Sequence, residues 1–150
     1  MTQEVKRSYL EINSIQDLEE VPKPSEDYSI NLLDPINFQL NKFFYKNIGK
    51  KHRWVDRLIW MESKWIDYVS DKKVKTYVFK HKDDLAGFFE LIFHFEKKEV
   101  EVAYFGLLEE YQNKKLGSYL LSQAIQKSFK GSINRVWVHT CSLDHKNALN

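Results

Sequence analysis

One stretch of the chain carries most of its chemical promise: Tyr104-Phe105-Gly106-Leu107-Leu108-Glu109-Glu110-Tyr111-Gln112-Asn113-Lys114-Lys115-Leu116-Gly117-Ser118. Its periodicity reads as a strand, a short polar loop and the start of an amphipathic helix. A helix entered this way presents unpaired backbone N–H groups and the positive end of its dipole, which together favour an anion. Lys114 and Lys115 add two cations there, and Gly117, with no Cβ, lets the first turn approach a phosphate closely. The stretch is not a Walker A loop, because the Gly-Lys-Ser/Thr ending is absent, nor does it fit a dinucleotide fingerprint. Taken alone, these residues equally describe an ordinary strand-to-helix loop with a solvated lysine pair.

Acid–base chemistry has one leading candidate. Strict alternation over residues 100–108 puts Glu101, Ala103, Phe105 and Leu107 on one face, and Val100, Val102, Tyr104 and Gly106 on the other. A glutamate among such neighbours either projects into a cleft, where it can take a proton, or sits at a solvated sheet edge with a structural or substrate-orienting role. Glu90 and His94 share a face of the preceding strand and are secondary candidates. Tyr104, on the face opposite Glu101, is expected to pack in the core. His139 reads as a packed histidine and Cys141 as a small buried hydrophobe, because neither has a basic or nucleophilic partner at a useful spacing. No spacing supports a metal site.

These residues must be positioned by the elements around them. Tyr28 to Leu33 alternates as a first strand. Apolar residues at Ile36, Leu40, Phe43, Phe44 and Ile48 then predict a helix with Asp34 as cap, Pro35 in its first turn and Gly49 at its end. Trp54, Leu58, Met61 and Trp65, broadened by Ile59, Ile66 and Val69, predict a second helix. Val74–Phe79, Leu85–Phe95 and Val100–Leu108, joined by short polar turns, predict an antiparallel meander. The stripe Leu116, Leu120, Leu121, Ala124, Ile125, Phe129 predicts a further helix, and Arg135–Cys141, apolar on both faces, a buried parallel strand. A last helix is expected from Asp144. Residues 1–27, polar and broken at Pro22 and Pro24, read as an N-terminal arm along the domain surface, with Ile12, Ile15 and Leu18 in one helical turn. Residues 28–150 read as one α/β domain with a mostly antiparallel sheet flanked by helices, C-terminally incomplete.

Bulk properties exclude several classes. At 150 residues with 43% hydrophobic content, the chain has the material for one core, and 29% charged residues to cover it. The 23 Lys and Arg against 21 Asp and Glu leave a net charge of only +2, which argues against a DNA-coating protein. Lys50, Lys51, His52, Arg53, Lys72, Lys73 and Lys75 read as a solvated face, so no nucleic acid is expected. A single cysteine forms no internal disulfide. No signal peptide is visible and no apolar run approaches the roughly 20 residues that span a bilayer, so a cytoplasmic location without a membrane partner is expected.

The central stretch resembles the GCN5-related N-acetyltransferase superfamily, whose phosphate-binding signature is Gln/Arg-x-x-Gly-x-Gly/Ala. Here the signature reads Gln112-Asn113-Lys114-Lys115-Leu116-Gly117, with Lys115 in place of the first glycine. The family's later Asn-x-x-Ala falls on His145-Lys146-Asn147-Ala148, so that His145 stands where the amide would be. Trp137 to His145 is similar to the same region of a bacterial subgroup, and the resemblance covers roughly residues 28–150.

It implies acetyl-CoA as co-substrate, with pantetheine lying in a V-shaped splay between the strand at 100–108 and that at 135–141. Leu107 and Leu108 would meet the pantetheine and acetyl group. Gln112, Asn113, Lys114, Lys115, Leu116, Gly117 and Ser118 would hold the pyrophosphate, and His145 would touch the cofactor. The acetyl group would pass directly to a primary amine of a small molecule or peptide, with Glu101 as general base and C-terminal strands of the fold absent from this chain. A homodimer is compatible with this reading. The alternative is a non-catalytic CoA-binding or protein-interaction module of the same fold.

Overall fold

The computed structural model describes residues 7–14, 18, 21–52, 54–112 and 114–141. The meander forms as expected: β3 (Val74–His81), β4 (Asp84–His94) and β5 (Glu99–Leu107) pair antiparallel in sequence order. At one side β2 (Tyr28–Leu32) pairs antiparallel with β3, and at the other β6 (Arg135–Cys141) runs parallel to β5. The sixth strand, β1 (Arg7–Ile12), lies antiparallel to β6, so the sheet order is β1-β6-β5-β4-β3-β2. The helical turn read over Ile12, Ile15 and Leu18 therefore fails at Ile12, which sits in a strand opposite Val136; Ile15 lies outside the described residues. The backbone groups on the outer side of β6 need partners, and β1 supplies them. Arg135 reinforces the junction by bridging Glu11 at 3.1 Å and Glu99 at 3.2 Å.

Two layers of helix close the sheet. On one face α3 (Lys114–Ser128) lays Leu116, Leu120, Ala124 and Ile125 against Phe89, Leu91, Val100 and Val102. Leu18 and Val21, between β1 and β2 in the chain, pack on the same cluster. On the other face α1 (Phe38–His52) sets Phe44 and Ile48 against Val78, Phe88 and Leu108, with Phe44 and Phe88 stacked 4.8 Å apart at 2°. The cap of α1 is Asn37 rather than Asp34: its Oδ1 accepts the N–H groups of Gln39 (3.1 Å) and Leu40 (3.4 Å).

The expected second helix is much shorter. Only Glu62–Ser70 is helical (α2), burying Trp65 and Val69, whereas residues 54–61 form turns that leave Val55, Leu58, Ile59 and Met61 exposed. The apolar stripe lost to a charge. Arg57, only 6% exposed, is drawn under the layer to a buried carboxylate, and an ion in the interior must be paired. The segment bends to deliver it, and helical spacing for the apolar residues around it is given up.

The turn into that segment also explains Gly49, which lies inside α1 instead of ending it. Trp54 folds back on the helix, its N–H donating to the Gly49 carbonyl at 2.9 Å, and a Cβ at Gly49 would sit 2.8 Å from the Trp54 Cβ. Gly49→Ala would gain about 1 kcal/mol of helix propensity but must displace a stem that carries Arg57. The clash wins, and a net loss of about 1–2 kcal/mol is expected by chemical denaturation.

Candidate active site

Pairing between β5 and β6 covers only Glu99–Val102 against Arg135–Val138, and beyond Val102 the two parallel strands part. This fork is the splay expected from the sequence. Leu108 donates its N–H to the Ala86 carbonyl at 2.8 Å, on the β4 side. By strand alternation the amides of Phe105 and Leu107 turn the other way, into the fork. Of the two residues expected at the acetyl group, Leu107 thus presents backbone to the opening, while the Leu108 N–H is bonded within the sheet and its side chain packs under α1.

The loop above the fork is braced from within. A one-turn 3-10 helix, Glu109–Tyr111, follows β5, and the Gln112 side chain donates from Nε2 to the Leu107 carbonyl at 3.4 Å. The Gln112 N–H bonds to the Glu109 carbonyl at 3.3 Å, so this residue shapes the loop. Asn113 and His145 lie outside the described residues. Lys114 opens α3, Lys115 is exposed, Leu116 is buried in the core beneath, and Gly117 and Ser118 are half-buried. Among the described residues, a Cβ added at Gly117 would find only Leu107 Cδ1, at 4.0 Å. The start of α3 lies beside the fork, and a helix N-terminus favours a phosphate.

The strand faces differ from simple alternation. Glu90 pairs with Tyr104, but the next β4 residue, Leu91, pairs with Val102, so Ala103 is an extra residue on β5. This bulge puts Val100 and Val102 on the α3 face together with Phe105 and Leu107, and turns Glu101 and Tyr104 to the α1 face together. The opposite-face expectation for Glu101 and Tyr104 is therefore corrected. Glu101 stands just below the fork, side chain 22% exposed, with Oε1 3.3 Å from His94 Nε2. Glu101, His94, Tyr104 and Glu90 thus share one face.

Glu90 is no free base. It is fully buried and accepts from Arg57 Nη1 at 2.9 and 3.2 Å, the Tyr68 hydroxyl at 2.9 Å and Asn41 Nδ2 at 3.2 Å. The Arg57 guanidinium lies 4.2 Å from the Tyr68 ring centre, 4.4 Å from Tyr104 and 4.8 Å from Trp60, with Tyr45 and Trp65 beyond. Burial works against the arginine's charge, but the Glu90 carboxylate more than offsets it and holds the group protonated. Burial pushes the Tyr104 hydroxyl up to about 12, partly opposed by Arg57, so the wall beneath the fork is a neutral phenol. Tyr68 is raised as well, by burial and then by the charge of Glu90. Sequence reasoning missed Arg57 altogether. The signal was there: one glutamate inside Gly87-Phe88-Phe89-Glu90-Leu91-Ile92-Phe93, and one arginine among Trp54, Trp60 and Trp65.

The sequence profile of the acetyltransferase (GNAT) family matches residues 36–150. The chain belongs to this family. The sheet, with its one parallel pair and its fork beside a helix start, is a GNAT fold. No curated protein matches the chain. Among solved structures it is similar to a functionally unknown conserved protein from Staphylococcus epidermidis ATCC 12228 (15% identity, TM-score 0.59). It is also similar to a GCN5-related N-acetyltransferase from Kribbella flavida (14%, TM-score 0.60). The alignments cover 97% and 90% of this chain but 54% and 49% of those, so the chain spans about half their length. A spermidine N-acetyltransferase from Vibrio cholerae, solved with CoA and spermine, aligns over 70% of this GNAT chain and 65% of its own (18%, TM-score 0.53). At such identities the likeness is one of fold. Among the described residues no helix is long and apolar enough to cross a membrane, and no group of three or more His, Cys, Asp or Glu could hold a metal.

Removing one partner of the central ion pair leaves a bare charge in the core. Arg57→Met is expected to cost about 3–5 kcal/mol in urea denaturation. The double variant Arg57→Met, Glu90→Met should recover a large part of that loss, because the uncompensated carboxylate goes with the arginine.

Proposed function

We propose that this GNAT chain transfers an acetyl group from acetyl-CoA directly to a primary amine of a small molecule or peptide. The observation that carries the reading is the fork between β5 and β6, opening beside the start of α3. Pantetheine lies along the free edge of β5 and bonds to the Leu107 backbone like an added strand. The pyrophosphate rests on the backbone amides of Lys114 to Ser118 at the start of α3, with Lys115 as a counter-charge. Family membership, and solved relatives with CoA bound in a Bacillus subtilis acetyltransferase and in the Vibrio enzyme, support this use of the site.

The chemistry needs little from the protein beyond position and one proton acceptor. An alkylammonium near pKa 10 must lose a proton before its nitrogen can attack the thioester carbon. Glu101, on the face below the fork, takes that proton directly or through water. His94, half-exposed and 3.3 Å away, leads it to solvent. As the C–N bond forms, the carbonyl oxygen gains charge, which a fork-facing backbone N–H stabilises. The C–S bond then breaks and the thiolate leaves with the CoA.

Glu101→Gln should lower kcat by about 10²–10⁴-fold while acetyl-CoA binds as before in calorimetry. Gly117→Asp gives an independent test. A carboxylate in the first turn favours the helix, so thermal stability should hold or rise, while CoA affinity falls at least about tenfold (about 1.4 kcal/mol). Wild-type protein that binds no CoA species would end the reading. Saturable CoA binding without acetylation of any amine offered would leave the non-catalytic module of the same fold in its place.

A further inference from the structure

The segment that delivers Arg57 is held down at every third residue. Trp54 donates its N–H to the Gly49 carbonyl at 2.9 Å, Arg57 bridges Glu90 at 2.9 Å, and the Trp60 ring meets Trp65 edge-on at 4.9 Å. With those three side chains turned inward, the apolar residues between them face water. Ile59 is 88% and Met61 76% exposed, and Val55, Leu58 and, on α2, Ile66 lie between 41 and 61%. Single exposed aliphatic residues are ordinary on any surface, but five within the twelve positions 55–66 form a patch. It presents on the order of 500 Å² of mostly apolar surface, as much as the largest patch on a typical monomer. Two such patches face to face bury about 1,000 Å², the area that a specific interface must clear. The buried anchors also fix the patch in advance, so docking costs it little conformational freedom.

Charge decides what covers it. Among and beside the apolar residues Asp56, Glu62 and Asp67 are exposed, and so are Lys50 and Lys64. A strongly acidic or strongly basic partner would meet its own sign there. A second copy related by a twofold axis would not, because each lysine can face a carboxylate of the other copy. The β2 edge of the sheet is a poorer place to join. An antiparallel pair of β2 strands centred on Ile30 would set Glu26 of each copy opposite Asp34 of the other, like charge against like.

We infer that this chain forms a twofold homodimer through residues 55–66, with Ile59, the most exposed of the five, as the central anchor. The ion pair of Arg57 and Glu90 then acts on both sides of the segment. Inward it holds the aromatic layer on Tyr104, and outward it keeps Val55, Leu58, Ile59 and Met61 in place for the second copy. None of the contact residues belongs to the fork or to the pair Glu101 and His94.

The test is analytical ultracentrifugation of the full chain without acetyl-CoA, over concentrations from about 0.1 to 100 μM. The unaltered chain should be a dimer at the upper end of that range. Ile59→Lys should raise the dimer dissociation constant at least about thirtyfold, the effect of losing a central anchor, while its far-UV circular dichroism is unchanged. Met61→Lys should act in the same direction and replaces it if the first variant fails to fold. Leu32→Lys, exposed at the β2 edge, should leave the dimer as it was. A chain that stays monomeric at the highest concentration, as it would if the patch served a different protein, overturns the inference. So does a dimer that tolerates both lysines in the segment, or one that Leu32→Lys dissociates. None of these readings depends on acetyl transfer, so the inference and the transferase reading stand or fall separately.

Discussion

The Glu90–Arg57 ion pair is the constraint around which one whole layer of this protein is arranged. A carboxylate in the middle of a central strand, under two helices, is tenable only with a charged partner and further donors. Meeting that demand takes residues from four places: Arg57 from the α1–α2 segment, Tyr68 from α2, Asn41 from α1, and the strand that carries Glu90 itself. The interaction is not a source of net stability so much as a choice of conformation, since an apolar pair of equal volume would pack at least as well. Here it selects the path of residues 54–61 and sets a layer of aromatic rings over the face of β5 that carries Tyr104. The aromatic layer over this face and the core beneath it are therefore one piece.

The other half of the site depends on backbone geometry. A single extra residue, Ala103, reverses the side-chain faces along β5 just where β6 begins to diverge. The bulge gathers Glu101, His94 and Tyr104 on one side, while the Leu107 backbone stays turned to the fork. Side chains thus lie below the fork, backbone amides face it, and a helix start stands beside them.

Much of this was legible in the residues. Period-two alternation located β3, β4 and β5 to within a residue or two, the stripe from Leu116 to Ile125 located α3, and β6 was bounded as found. Those elements bury one clean face each, so local pattern and tertiary demand agree. The errors fall where they conflict. Trp54 to Met61 has helical spacing yet turns, because Arg57 must reach Glu90. Ile12 reads as part of a helical turn yet pairs in a strand, because an open β6 edge lies beside it, and no local signal reports an edge built more than a hundred residues later. The bulge at Ala103 was equally invisible, since an inserted residue breaks the alternation on which face assignments rest.

That distant edge has a consequence for how the chain is made. Glu11 and Arg135, joined across β1 and β6, are 124 positions apart. At about 5–20 residues per second, a ribosome takes on the order of ten seconds to deliver the second after the first. Throughout that interval β1 has emerged with its amides and carbonyls unmatched, while the hairpins of the meander can already form. The sheet is thus assembled from the middle outwards, and β1, made well before β6, is among the last strands to dock.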